Sequence, residues 1–219
     1  MVAGVLFLSQ DKMQRSAMNT LAVIGGIGSG KSTVSRMLSE YGAAILDLDT
    51  LGHEVLRDNK IKEELVAVFG DEILDNQGKI VRKALAKRAF SDDASTRQLT
   101  LITGPAILIA AEQWLAVQDG RGQDCAVIEI SAFDGPEGYY SRFASADSGF
   151  LLVAVVAPAQ MRVNRAVSKG FERDDVWQRI SRQASDEKRR KWADFVIDNS
   201  GSESELRAQV ENLWRSIND

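Results

Sequence analysis

A single cysteine, Cys125, stands in a chain of 219 residues, so no intrachain disulfide can form. A single histidine, His53, leaves no Cys/His cluster of the kind that holds zinc. Excess positive charge is missing too: 27 Lys and Arg face 31 Asp and Glu, for a formal net charge of -4 and a pI near 5.2. That balance argues against a general nucleic-acid binder, which carries a basic excess, although local basic patches are compatible with it. Long apolar runs are scarce. The N-terminal "MVAGVLFL" has no basic residue ahead of it; it is too short to span a bilayer and poorly formed as a signal peptide. Residues 1–18 read as a loose extension or an early start ahead of the first strand, with an extra edge strand as the structured alternative. What these absences leave is a soluble, cytoplasmic protein with neither membrane nor nucleic acid among its expected partners. A monomer is its default state, and weak self-association is compatible with the same composition.

What the sequence does have is alternation. "TLAVIG" (20–25), "AAILDLD" (43–49), "CAVIEI" (125–130), "FLLVAVVA" (150–157) and "DFVIDN" (194–199) are short and largely apolar, as buried parallel strands are. Helical patterns separate them at 31–41, several times within 51–118, and at 159–169, 172–191 and 202–217. Strand and helix in turn predict a doubly wound α/β sheet of five parallel strands. About 75 residues separate the second strand from the third, far more than one crossover needs, so an all-helical insertion is expected there. The expected layout is one domain over 19–219. Its core is 19–50, 119–158 and 192–219, its insertion 51–118, and its lid 159–191.

The stretch "GGIGSGKST" (25–33) follows the first strand and opens the first helix, the context that makes a phosphate-binding loop match specific. Its glycines let backbone N–H groups approach phosphate oxygens, and the helix N-terminus adds positive potential. The nucleotide contacts expected are Gly26, Ile27, Gly28, Ser29, Gly30, Lys31, Ser32 and Thr33. Lys31 reaches the β and γ phosphates, Ser32 offers its hydroxyl to Mg²⁺, and Thr33 lies near the α-phosphate. No "NKxD" segment, the base reader of a signalling GTPase, is present.

The second strand ends in "DLDT", which brings Asp47 and Asp49 to the crevice at the strand ends, on one face because they are two apart in the strand. Asp49 suits a proton acceptor for an attacking hydroxyl, the reading its crevice placement favours over the alternative of a cap for a helix starting near Leu51. Asp47 suits a supporting role. Glu129, at the end of the third strand, fits either the Mg²⁺ shell and acceptor or a lysine partner. Ten basic residues lie between Pro158 and Lys191. Most suit solvated faces, but Arg162, Arg165 and Lys169 share a helical face from which a lid brings cations to a transferring phosphoryl group. Gly170 supplies a hinge behind them.

Three segments together resemble the dephospho-CoA kinase family. They are "AVIGGIGSGKSTVSRMLSEYGAAILDLD", "VFGDEILDNQGKIVRKALAKRAFSDD" and "RISRQASDEKRRKWADFVIDNSGS". The resemblance implies a P-loop kinase fold with a helical acceptor-binding insertion and a helical lid. It implies ATP-dependent, Mg²⁺-assisted phosphorylation of the ribose 3′-hydroxyl of dephospho-CoA. Asp49 then matches the residue usually taken as the base, with Lys31 beside the transferring group; Arg165, the catalytic lid cation expected from its helical position, lies one residue from a place where the family tends to carry arginine. Asn199 and Gly201 match the turn beside adenine, while Asp47, Arg82, Glu129 and Gln183 fall on the substrate side. Lys188 and Asp194 match as well. Departures concentrate on the acceptor side: Gly104 stands where the family usually has histidine before a proline, Ser131 opens an altered stretch, and Asn164 and Ser168 occupy places that tend to carry arginines. His53 stands where arginine is common. A related kinase with a nucleoside- or sugar-like acceptor, or a nucleotide-binding regulator that has lost transfer, remains open on the residues alone.

Overall fold

The computed structural model describes residues 18–143 and 149–218; the expectation for residues 1–17 lies outside that range. The five apolar runs become parallel strands β1 (Asn19–Ile24), β2 (Ala44–Asp47), β3 (Cys125–Ile130), β4 (Phe150–Val156) and β5 (Phe195–Asp198). Their order in the sheet is β2-β3-β1-β4-β5, so β1 is central and the crossovers run to both sides. Helices on both faces leave these strands no polar side, which is why they read as apolar runs without alternation. All six residues of β3 are buried, Glu129 included.

On one face, α1 (Lys31–Glu40) and the last helix, α9 (Glu203–Asn218), bury Val34, Met37, Leu38, Leu206, Val210 and Leu213 against β1, β3 and β4. On the other, α2 (Leu48–Val55) and α5 (Asp93–Gly120) insert Leu48, Leu51, Ile107 and Ala111. Between those two helices, α3 (Asn59–Phe69) and α4 (Arg82–Ala89) enclose a separate cluster of Ile61, Leu65, Phe69, Ile73, Leu85 and Ala89. The insertion is not wholly helical: an isolated antiparallel bridge joins Leu74 to Ile80. By length and composition α5 is apolar enough to cross a membrane, but it packs against α2, α3 and α4 of its own chain. Three helices complete the chain before β5: α6 (Ala159–Ser168), α7 (Arg173–Arg182) and α8 (Asp186–Trp192).

Two expectations need correction. The Asp-x-Asp pair does not share a strand face, because β2 ends at Asp47 and α2 begins at Leu48. The helix cap is Asp47, whose carboxylate accepts the Asp49 N–H at 2.9 Å, and Asp49 falls in the first helical turn. The helix expected over 172–191 is broken after Arg182, where Gln183 takes an extended backbone and Ser185 caps α8 by accepting the Lys188 N–H at 3.2 Å.

Candidate active site

Residues 25–30 leave β1 and fold back so that α1 starts at Lys31. Gly28 and Gly30 take φ of 72° and 101°, the left-handed region that side chains avoid. Space is as restrictive as torsion. A Cβ on Gly30 would lie 2.0 Å from the Asn199 amide nitrogen, and one on Gly26 1.8 Å from an Arg162 guanidinium nitrogen. The loop is held from outside: Asn199 Nδ2 donates to the Ser29 carbonyl at 2.8 Å, and the Ile27 N–H donates to Gln183 Oε1 at 3.0 Å. Arg162 Nε donates to the Ile27 carbonyl at 3.0 Å.

Lys31 is only 7% exposed at the base of this loop. Burial pushes its pKa below the ordinary lysine value, opposed by the carboxylates of Glu129 and Asp49 and reinforced by Arg189 and Arg162. Those two acids therefore lie in the field of the lysine, although Asp49 itself is exposed. Ser32 donates its hydroxyl to Glu129 Oε1 at 2.7 Å, and Asp47 sits beside Glu129 in the parallel register of β2 and β3. A hydroxyl and one or two carboxylates are hard oxygen donors suited to Mg²⁺, which keeps waters and shares its shell with phosphates. Among the described residues no group of three or more His, Cys, Asp or Glu forms an all-protein metal cage.

The lid is where the sequence revealed least. Arg162 and Arg189 are 3% and 1% exposed, and both bind one carboxylate oxygen of Asp186, at 3.2 and 2.9 Å. Burial lowers the pKa of both guanidiniums, with Asp186 opposing it, yet arginine remains charged. Two buried cations sharing one anion beside a phosphate loop form a positive wall. Asp186 and Arg189 were not picked out as functional residues; the available signal was the Ser185-Asp186-Glu187 run that starts α8. An open cavity of about 560 Å³ adjoins this wall, lined in part by Val156, Ala157, Gln183, Asp186, Arg190 and Asp198.

Arg165 donates through Nη2 to the Asn199 carbonyl at 2.9 Å, and its Nη1 is buried with no hydrogen-bond partner. Lys169 caps the C-terminus of α6 and is exposed, so the three cations of that face divide between loop, strand end and solvent. Asn164 and Ser168 are exposed and bond along their own helix, to Gln160 at 3.1 Å and to the Arg165 carbonyl at 2.8 Å. Gly201 leaves room for the Glu205 carboxylate, which accepts the Ser202 N–H at 2.7 Å in a capping box at the start of α9. Lys188 is exposed on α8, and Asp194 accepts the Leu152 N–H at 2.7 Å, fixing the entry to β5 against β4.

On the acceptor side, His53 lies one helical turn after Asp49 on α2, and Arg82 Nη1 is 2.9 Å from its Nδ1. Both are exposed. After β3, the segment 131–143 passes over the same end of the sheet and places Tyr139 and Tyr140 near α5 and α2. Sequence reading passed over these tyrosines, which stand in no motif.

Comparison with known proteins fits this geometry. The family model described as dephospho-CoA kinase matches residues 19–205. A dephospho-CoA kinase of Corynebacterium diphtheriae is 38% identical over 203 residues, spanning 90% of this chain and 96% of that protein. One from Aquifex aeolicus is 34% identical over 201 residues, spanning 91% and 98%. A crystal structure of a Thermus thermophilus protein matches with a TM-score of 0.75 at 29% identity, covering 92% of this chain and 98% of that one. With the family model running from β1 into α9 and so over most of the chain, this chain belongs to the dephospho-CoA kinase family.

Proposed function

We propose that this chain transfers the γ-phosphoryl group of ATP to the ribose 3′-hydroxyl of dephospho-CoA, giving ADP and coenzyme A, with Asp49 as the base. The glycine loop with Lys31 buried beneath it and Ser32 bonded to Glu129 at 2.7 Å, at the strand ends where α2 brings Asp49 in its first turn, is the observation that supports this reading. As the new O–P bond forms, the Asp49 carboxylate takes the hydroxyl proton and the bond to the β-phosphate oxygen breaks. Lys31 neutralises charge on the β and γ oxygens, and Arg165 and the Arg162–Asp186–Arg189 wall supply positive potential from the lid. Backbone N–H groups of 28–33 orient the phosphates, while Asn199 and Gly201 border the base. Ser32, with Glu129 and Asp47 behind it, would hold Mg²⁺, which when bound screens the phosphate charges.

Residues 51–118 form the acceptor-binding part in this reading and 159–191 the lid. Arg82 is the cation for the acceptor's phosphate groups, and Gln183 holds the loop through Ile27. The protein is read as a cytoplasmic monomer acting on a small molecule, with neither nucleic acid nor membrane as partner.

The test is steady-state ADP release from ATP and Mg²⁺ with dephospho-CoA, against an acceptor-free control and a nucleoside and sugar panel, with the product identified by mass. Strong stimulation with coenzyme A as product is expected. Stimulation only by a member of the panel would overturn the acceptor, and no stimulation by any acceptor would overturn the kinase reading.

A further inference from the structure

Gly104 has ordinary helical backbone, unlike the glycines of the phosphate loop, so nothing in its torsions requires glycine. Its helix would be steadier with a side chain there, by roughly 1 kcal/mol for alanine over glycine. The reason for glycine is a neighbour. A Cβ at 104 would stand 2.2 Å from Tyr139 Cε1, 2.4 Å from Cζ and 2.6 Å from the hydroxyl, so the phenol ring occupies the volume in which a side chain would grow.

The ring is not there by chance of a loose loop. Arg142 pairs with Glu112, tying the same segment to α5 at a second point eight residues along the helix. Phe143 packs edge-on to Phe150 at 5.3 Å between centroids, Phe133 edge-on to Trp192 at 5.7 Å, and Tyr139 edge-on to Tyr140 at 5.5 Å. Tyr140 is half-buried against the face of the sheet that carries α2 and α5. Burial, its neighbour Tyr139 and the carboxylates of Asp49 and Asp134 push its hydroxyl pKa up to about 12, so Tyr140 lies within electrostatic reach of Asp49. Tyr139 itself stays half-exposed.

We propose that Tyr139, seated in the space that Gly104 leaves open, is a specificity-determining residue that contacts the purine base of the acceptor. The inference rests on the kinase reading above: the reacting hydroxyl belongs to an adenosine ribose, so the purine lies close to Asp49 on α2, and the half-exposed Tyr139 ring, seated on α5, which packs against α2, and edge-on to Tyr140, offers it a stacking or edge contact. Such contacts between a base and an aromatic side chain contribute on the order of tenfold or more in affinity. Glycine at 104 is then the complement of tyrosine at 139.

A reciprocal exchange tests this. KM for dephospho-CoA and for ATP is measured in the wild type, Tyr139→Ala, Tyr139→Phe, Gly104→His and the double variant Gly104→His/Tyr139→Ala, with thermal melts to establish folding. Tyr139→Ala is expected to raise KM for dephospho-CoA about tenfold and leave KM for ATP unchanged. Tyr139→Phe, which keeps the ring, should stay within about threefold of the wild type, since stacking needs only the π-face. Gly104→His displaces the ring and should resemble Tyr139→Ala, while the double variant, whose imidazole refills the vacated space, should recover most of the loss. If Gly104→His does not fold, the two Tyr139 variants decide the matter. An active wild type with an unchanged acceptor KM in folded Tyr139→Ala, or equal loss on both substrates, overturns the inference and leaves the kinase reading standing. A wild type inactive with every acceptor overturns both.

Discussion

The phosphate-loop side and the proposed acceptor side of this protein differ in how tightly their side chains are buried and bonded. Around the phosphate loop, Lys31, Ser29, Arg162, Arg189 and Asn199 are all buried, and side chains from 162, 183 and 199 are bonded to loop backbone atoms. Around the acceptor, Asp49, His53 and Arg82 are exposed, and the tyrosine pair stands on an irregular segment. A phosphate loop meets the same triphosphate whatever the acceptor, so preorganisation there favours every turnover. In the proposed reading the discrimination falls to the acceptor side, made of exposed side chains on helices α2 and α4 with Gly104 and Tyr139 beside α5.

The contrast can be broken from either direction. Asp49→Asn should lower kcat by about 10²–10⁴-fold while ATP affinity, measured by calorimetry, stays near the wild-type value, because the base touches the acceptor and not the nucleotide. Weakened ATP binding of similar size would mean that the two sides are not separable. Asp186→Asn should act on the phosphate-loop side, destabilising the fold by about 3 kcal/mol in urea unfolding, since it leaves two buried guanidiniums without their shared anion. A change within error would show that the lid is not braced by that triad. The smallest effect is a protonic one. Because the folded-state pKa of Lys31 lies below its unfolded value, the unfolded chain holds more protons between the two, and the apo protein gains stability as pH rises through that window. Bound phosphates raise that pKa again, so ATP binding on the alkaline side should take up a fraction of a proton, read as a dependence of the binding heat on buffer ionisation enthalpy. No uptake would place the triphosphate away from Lys31.

Much of the phosphate-loop side was legible because its signals are local. A strand, a glycine loop and a helix are consecutive at 19–40, and five apolar segments were enough to expect the sheet. The first carboxylate pair was misread for an equally local reason: "DLDT" carries an aspartate that suits a strand end and another that suits a cap, and only the observed Asp47 carboxylate contact with the Asp49 N–H decides between them. The ion triad was hidden because Arg162 and Asp186 are 24 positions apart and every lid arginine looks alike in a charge run. Tyr139 was invisible until Gly104 was seen against it, since a close contact between a glycine and a distant ring leaves no periodic trace.

The bond from Asn199 to the Ser29 carbonyl spans 170 positions, and β5, which carries Asn199 beyond its end, is an edge strand beside β4. During synthesis from the N-terminus, the phosphate loop emerges well before residue 199 and lacks this clamp until that residue has left the ribosome. Nucleotide can therefore stabilise the protein fully only after that point, and a truncated chain ending before 199 would have the whole sequence motif without the finished cradle.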